Sequence, residues 1–251
     1  MESSIDKALD LFDRVARDDG ATPLGTLAAA AGLPLSTAYR MIARFEARGL
    51  LVRTGKGCWR GGAALLDLAR RIDGDALLAQ IARPAIRRLA RATGRTAHLG
   101  VLETDMVTYL VKERGGRAEV LTREAMQLEA YCSAIGKVLL ASLSEEALTL
   151  YLSSGTFVPL TPKTITDPAL LRDHLAAVRR DGFAIDDEEV ADGLFCLAVP
   201  VRRGDGAVVG ALSSSAADAG RGFVREDLLR ALLSCADEIE AKMNGTPGKN
   251  R

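Results

Sequence analysis

The 251-residue chain balances 33 Lys and Arg against 33 Asp and Glu; 48% of its residues are hydrophobic and only 4% aromatic, so one large domain or two small ones with aliphatic cores are expected. No apolar run approaches the ~18 residues of a membrane helix, and the charged opening MESSIDKALD lacks a signal-peptide core, which points to a cytoplasmic protein with no membrane partner. Cys58, Cys132, Cys196 and Cys235 form no CxxC pair, and neither His98 nor His174 has a ligand-spaced neighbour, so no metal, disulfide framework or cofactor is expected.

Ser4–Ala16 places Ile5, Leu9, Phe12, Val15 and Ala16 near helical periodicity, and Asp18-Asp19-Gly20 ends the helix. A short Ala-rich helix, Leu24–Ala31, stops at Gly32. Pro34 and Ser36 open a third helix that runs to about Arg48, with Ser36 or Thr37 placed to cap its free amides. Two short strands, Leu50–Arg53 and Cys58–Arg60, flank the loop Thr54–Gly57. Three helices followed by a basic hairpin outline a winged helix-turn-helix, over residues 1–62.

Helical stretches at Ala63–Ile72 and Asp75–Ala92 follow, with a linker expected over 63–76. Pro84 should kink the second stretch or start a new helix. Strands are expected at Thr96–Leu102, Met106–Lys112 and Ala118–Thr122, then helices at about Ser133–Ser142, Ser144–Leu152 and Asp167–Asp181. Leu194–Arg202 and Ala207–Ser215 form a strand pair, and Arg225–Met243 a last amphipathic helix. Residues 77–243 therefore read as an α+β sensor-like domain, and 244–251 as a disordered tail.

The neutral total hides an asymmetry. Residues 1–71 carry +3 and the rest −3, and Leu35–Gly62 alone carries +5. On the third helix Thr37, Arg40, Arg44 and Arg48 share one stripe, while Ala38, Met41, Ile42 and Phe45 lie on the opposite side. The apolar side can pack while the basic side enters a major groove, and Arg53, Lys56 and Arg60 of the hairpin can touch flanking phosphates. A charged solvent face used for protein contact is the alternative; helix order, glycine punctuation and the basic hairpin favour DNA.

In the second domain, a two-residue turn at Asp205-Gly206 would pair residues whose numbers sum to 411. Cys196 then faces Ser215 and Ala198 faces Ser213, all on one sheet face, while Phe195, Leu197, Val199 and Val201 supply core on the other. A three-residue loop would break this register. The acidic run Asp186–Glu189 can close over one edge. Each of these residues also has a bland reading: a buried cysteine, strand serines bonded to neighbours, a solvated turn.

The run LPLSTAYRMIARFEARGLLVRTG (Leu33–Gly55) resembles the DNA-binding segment of IclR-type transcriptional regulators, and SIDKALDLFDRVA resembles their first helix. The resemblance continues through YCSAIGKVLLASLSEE, DGFAIDDEEVADGLFCLAVPV and GAVVGALSSSA, and so covers nearly the whole chain. CWRGG at Cys58–Gly62 departs from the family's Tyr-Arg-Leu-Gly-like wing end, with Trp59 in the tyrosine's place and Gly61 in that of an apolar anchor. The resemblance implies a GAF-like α/β effector domain binding a small organic acid. In it Ala134 and Ile135 would offer backbone amides to a carboxylate, ahead of the helix body Gly136–Ser142. Asp186, Cys196, Ser213 and Ser215 would hold the polar end, and Leu194 an apolar wall. Tyr131-Cys132 resembles members that regulate aromatic-acid degradation. It further implies double-stranded operator DNA as partner and a homodimer that pairs again as a dimer of dimers. The competing class is a cysteine-dependent redox enzyme or oxidation sensor on the same fold, with Cys132 and Cys196 as nucleophile and resolver.

Overall fold

Ser3 caps the first helix through a reciprocal pair, its Oγ accepting from the Asp6 amide at 3.2 Å and its own amide donating to the Asp6 carboxylate at 2.9 Å. In the computed structural model, which describes residues 3–116, 122–217 and 225–245, the chain divides into two units between Asp73 and Gly74.

The first unit contains α1 (Ser4–Asp18), α2 (Leu24–Ala30), α3 (Leu35–Glu46), β1 (Leu51–Gly55), β2 (Cys58–Gly61) and α4 (Ala63–Ala69). Leu11, Val15, Leu24, Ala28, Ala38, Ile42, Leu51 and Trp59 form its core, so the periodic apolar positions of three helices and the wing converge. Trp59 takes up the wing's apolar anchoring despite Gly61: it is buried and packs edge-on to Tyr39 at 6.0 Å.

Three expectations change here. Pro34, not Ser36 or Thr37, occupies the N-cap of α3, and no side chain caps it; the Pro34 carbonyl accepts from the Thr37 and Ala38 amides instead. The helix ends at Glu46, so Arg48 lies in the following turn, where Gly49 adopts φ +67°. The hairpin is tighter than the expected four-residue loop: Gly55 pairs with Cys58, leaving Lys56-Gly57 as the turn.

The second unit contains α5 (Gly74–Thr93), β3 (Thr96–Glu103), β4 (Met106–Glu113), β5 (Gln127–Glu129), α6 (Ala134–Ala141), α7 (Glu145–Ser154), α8 (Pro168–Asp181), β6 (Ala184–Asp187), β7 (Leu194–Arg202), β8 (Val208–Ala217) and α9 (Arg225–Met243). Its sheet is antiparallel in the order β5-β4-β3-β8-β7-β6. On one face Leu99, Leu197, Val199, Val201 and Leu212 pack against Ile86 of α5 and Leu232 and Ile239 of α9. On the other, Val107, Ala198 and Ala211 pack with Leu140 of α6, Leu148 of α7 and Leu171 and Leu175 of α8. Helices on both faces explain why β3 is buried along most of its length.

α5 runs unbroken through Pro84, which forfeits only the hydrogen bond to the Gln80 carbonyl. β5 and β6 are strands where no strand was expected, β6 taking in the first half of the acidic run. The expected strand at 118–122 lies, but for Thr122, outside the described residues, as do positions 246–251 of the tail.

The β7–β8 register is as derived, but by a different route. Arg203 donates to the Ala207 carbonyl and accepts from the Gly206 amide, both at 2.8 Å, with Gly206 at φ +86°: this is a three-residue loop. A bulge at Val209 of β8, opposite the step from Val201 to Arg202, then restores the sum of 411, pairing Cys196 with Ser215 and Ala198 with Ser213.

Candidate functional site

The cations expected on the first unit are all exposed, but their surroundings differ. Ser36, Arg40 and Arg44 are exposed on α3 and Thr37 half-exposed, and Thr37, Arg40, Ala43, Arg44 and Ala47 line one shallow groove. Among the described residues Arg40, Arg44 and Arg48 form no ion pair, so these guanidinium groups stand uncompensated. Lys56 sits exposed at the wing tip. Arg53 donates to the Gly55 carbonyl at 3.1 Å and lies over the Trp59 ring at 5.6 Å. Arg60 is turned back onto Asp19, donating to its carbonyl at 2.8 Å and pairing with its carboxylate at 3.0 Å. It is therefore paired within the unit, through an ion pair whose two side chains remain exposed.

In the second unit, strand pairing lays a polar row across the sheet face beneath α6. Thr96, Ser215, Cys196 and Asp186 stand opposite one another on β3, β8, β7 and β6, and one step along His98 stands beside Ser213. Above this floor α6 begins two residues before the expected helix body. Ser133 is its N-cap, and its Oγ accepts from the Gly136 amide at 3.1 Å while its carbonyl accepts from Lys137 at 2.9 Å. Ala134 and Ile135 thus occupy the first two helical positions, whose amides have no helical acceptor. The helix enters this closely because Gly136 has no side chain: a Cβ there would lie 2.1 Å from the Ala130 carbonyl oxygen.

Ala134, Ile135, Asp186, Leu194, Cys196, Ser213 and Ser215 all line one cavity of about 510 Å³. His98, Tyr109, Thr122, Met126, Leu128 and Ser133 complete it together with the segment Val190–Gly193. These were not selected from sequence: pairing of β3 with β8 brings His98 to the floor, and two isolated strands carry no mark of that partnership. The single available signal was a histidine alternating with apolar residues in an otherwise apolar strand.

Asp186 Oδ1 accepts from the amides of Glu189 at 2.7 Å and Val190 at 3.3 Å, while Oδ2 is buried without a partner among the described residues. Burial raises its pKa to about 6, opposed by those two amides and by Lys137. Cys196 Sγ donates to Ser215 Oγ at 3.3 Å. Burial pushes the Cys196 thiol well up and Cys132 to about 12, so neither presents a thiolate. His98 is pushed down to about 3, first by burial and then by Lys112, and is a neutral imidazole. Among the described residues no group of three or more His, Cys, Asp or Glu is disposed to hold a metal ion, and no helix is long and apolar enough to cross a membrane.

A winged helix-turn-helix unit followed by an α/β unit with a polar-floored cavity defines a DNA-binding regulator of transcription. Residues 4–55 match the IclR helix-turn-helix domain and residues 74–241 the bacterial transcriptional regulator IclR C-terminal domain, and the chain belongs to the IclR family. It is 32% identical over 217 residues to the HTH-type transcriptional regulator XynR of Escherichia coli, covering 84% of this chain and 85% of that one. It is 31% identical over 199 residues to the acetate operon repressor of Salmonella typhimurium, covering 78% and 73%. A solved IclR homologue from Microbacterium hydrocarbonoxydans, complexed with 4-hydroxybenzoate, superposes with a TM-score of 0.63 at 28% identity, covering 96% of this chain and 99% of that one. The chain is thus a regulator and not an enzyme, which removes the catalytic cysteine alternative.

Proposed function

We propose that this regulator changes its operator affinity when a small organic acid enters the cavity beneath α6. The observation that carries this reading is the convergence there of two amides without helical acceptors, Ala134 and Ile135, with Ser213, Ser215, Cys196 and Asp186. A helix N-terminus attracts an anion through its free N–H groups and dipole. A carboxylate beside Asp186 favours the protonated form of that residue, which then donates from Oδ2 instead of repelling. Met126, Leu128, Val190 and Leu194 supply apolar wall for the body of the ligand. The 4-hydroxybenzoate complex of the solved homologue makes aromatic monocarboxylates the first probes.

On the DNA side, Ser36, Thr37, Arg40 and Arg44 enter a major groove, with Arg48, Arg53 and Lys56 near the backbone. A two-fold dimer, pairing again through the effector domains, would read a partly palindromic operator with half-sites about one helical turn or a multiple apart. The effector acts by binding one of two arrangements better than the other.

Calorimetric titration with benzoate and 4-hydroxybenzoate, each against its neutral amide, tests the cavity assignment. The acids are expected to bind at least about tenfold tighter than the amides. Equal binding, or none by any acid, overturns the carboxylate reading.

A further inference from the structure

His98 is a buried cavity residue to which the carboxylate reading gives no task. Its ring is 1% exposed and doubly fixed: Nε2 lies 2.7 Å from Thr122 Oγ1, and the ring packs on Tyr109 with centroids 4.9 Å apart. Nδ1, by contrast, is buried and has no hydrogen-bond partner among the described residues. His98, Thr122 and Tyr109 all line the cavity, and register puts His98 next to Ser213. A buried polar atom left unpaired is costly, and where its residue lines a ligand cavity an entering ligand is the natural source of its partner.

We infer that His98 sets effector specificity, its Nδ1 pairing with an uncharged hydroxyl so that the site takes hydroxy-carboxylic acids in preference to the parent acids. This rests on the carboxylate reading above. The argument for a hydroxyl is one of matching. If Nε2–H donates to Thr122, Nδ1 is a bare acceptor; if Thr122 donates, Nδ1 carries the hydrogen. A hydroxyl both donates and accepts, and so satisfies either tautomer. A second carboxylate satisfies only one, and Lys112, the nearby cation, is already directed to the Thr122 carbonyl. A methyl or hydrogen in the same place leaves Nδ1 orphaned.

The test compares benzoate with its 2-, 3- and 4-hydroxy forms, and acetate with glycolate, by calorimetry on the full chain and on His98→Phe, which keeps a ring against Tyr109. The best hydroxy acid is expected to bind about tenfold or more tighter than its parent in the wild type. In His98→Phe that ratio should fall to within about twofold. With only two histidines in the chain, ¹⁵N-histidine NMR gives a second readout that needs no variant. The hydroxy acid should shift the His98 Nδ1 resonance, and the parent acid should not. Hydroxy acids binding no better than their parents, or a preference that survives in His98→Phe, overturns the inference and leaves the carboxylate reading standing. Failure of every acid to bind overturns both.

Discussion

Lys137 of α6 and Glu189 of the turn after β6 form an ion pair almost sealed from solvent, their side chains 0% and 7% exposed. Lys137 also donates to the Ile185 carbonyl at 3.1 Å, and the Glu189 carbonyl accepts from Thr164 Oγ1 at 2.7 Å. The pair ties the helix whose first residues line the cavity to the segment Val190–Leu194 that walls it. Removing one partner strands a buried charge, whereas removing both does not. Lys137→Met is expected to cost about 3–5 kcal/mol in chemical denaturation, and Lys137→Met with Glu189→Met to recover most of it. A double variant as unstable as the single one would contradict this account of the pair.

Asp186 makes a pH-dependent prediction. Its pKa is about 6 in the folded chain and near 3.9 unfolded, so between these values the folded state holds the extra proton. Its contribution to stability therefore falls as pH rises from about 4 to 6 and stays low above that range. Asn at this position keeps an oxygen for the Glu189 and Val190 amides but never ionises. Asp186→Asn should gain about 2–3 kcal/mol more, relative to wild type, at pH 8 than at pH 4. Melting curves of the two proteins across that range check it; a difference constant with pH would refute it. By the same sign, wild-type affinity for an acid should weaken from pH 6 to pH 8, because a bound carboxylate draws a proton onto Asp186.

Arg40 and Arg60 separate the two kinds of cation on the DNA-binding unit. Arg40 is exposed and unpaired among the described residues, whereas Arg60 is held on Asp19. Arg40→Ala should weaken operator binding by about 1–3 kcal/mol, and Arg60→Ala by about 0.5 kcal/mol or less. Electrophoretic mobility shifts at fixed salt measure both. An Arg60→Ala loss as large as that of Arg40→Ala would place the wing closer to DNA than its pairing with Asp19 allows.

What could be read in advance followed periodicity and pairing arithmetic. The helices of both units, and the shared face of Cys196, Ala198, Ser213 and Ser215, are local patterns and stand in the chain as written. The turn chemistry was not legible: Gly204-Asp205-Gly206 forms a three-residue loop, and the register survives only because a bulge at Val209 cancels it. Two short strands escaped notice because β5 has three residues and β6 reads as an acidic turn. His98, Thr122 and Lys137 reach the cavity region through long-range contacts, which no local spacing encodes. The pairing of Arg60 with Asp19 was not legible either, because the two lie 41 residues apart.

The central claim, that an acid in the cavity controls DNA binding, is tested most directly by fluorescence anisotropy. Labelled DNA from upstream of the protein's own gene is titrated against scrambled DNA over a salt series, with and without the tightest-binding acid, using wild type and the double variant Ser213→Ala with Ser215→Ala. Sequence-preferring binding that weakens steeply with salt is expected of both proteins. The acid should shift operator affinity at least about fivefold in wild type and leave the double variant unmoved. An equal shift in both proteins, or no shift by an acid that binds, would contradict the account.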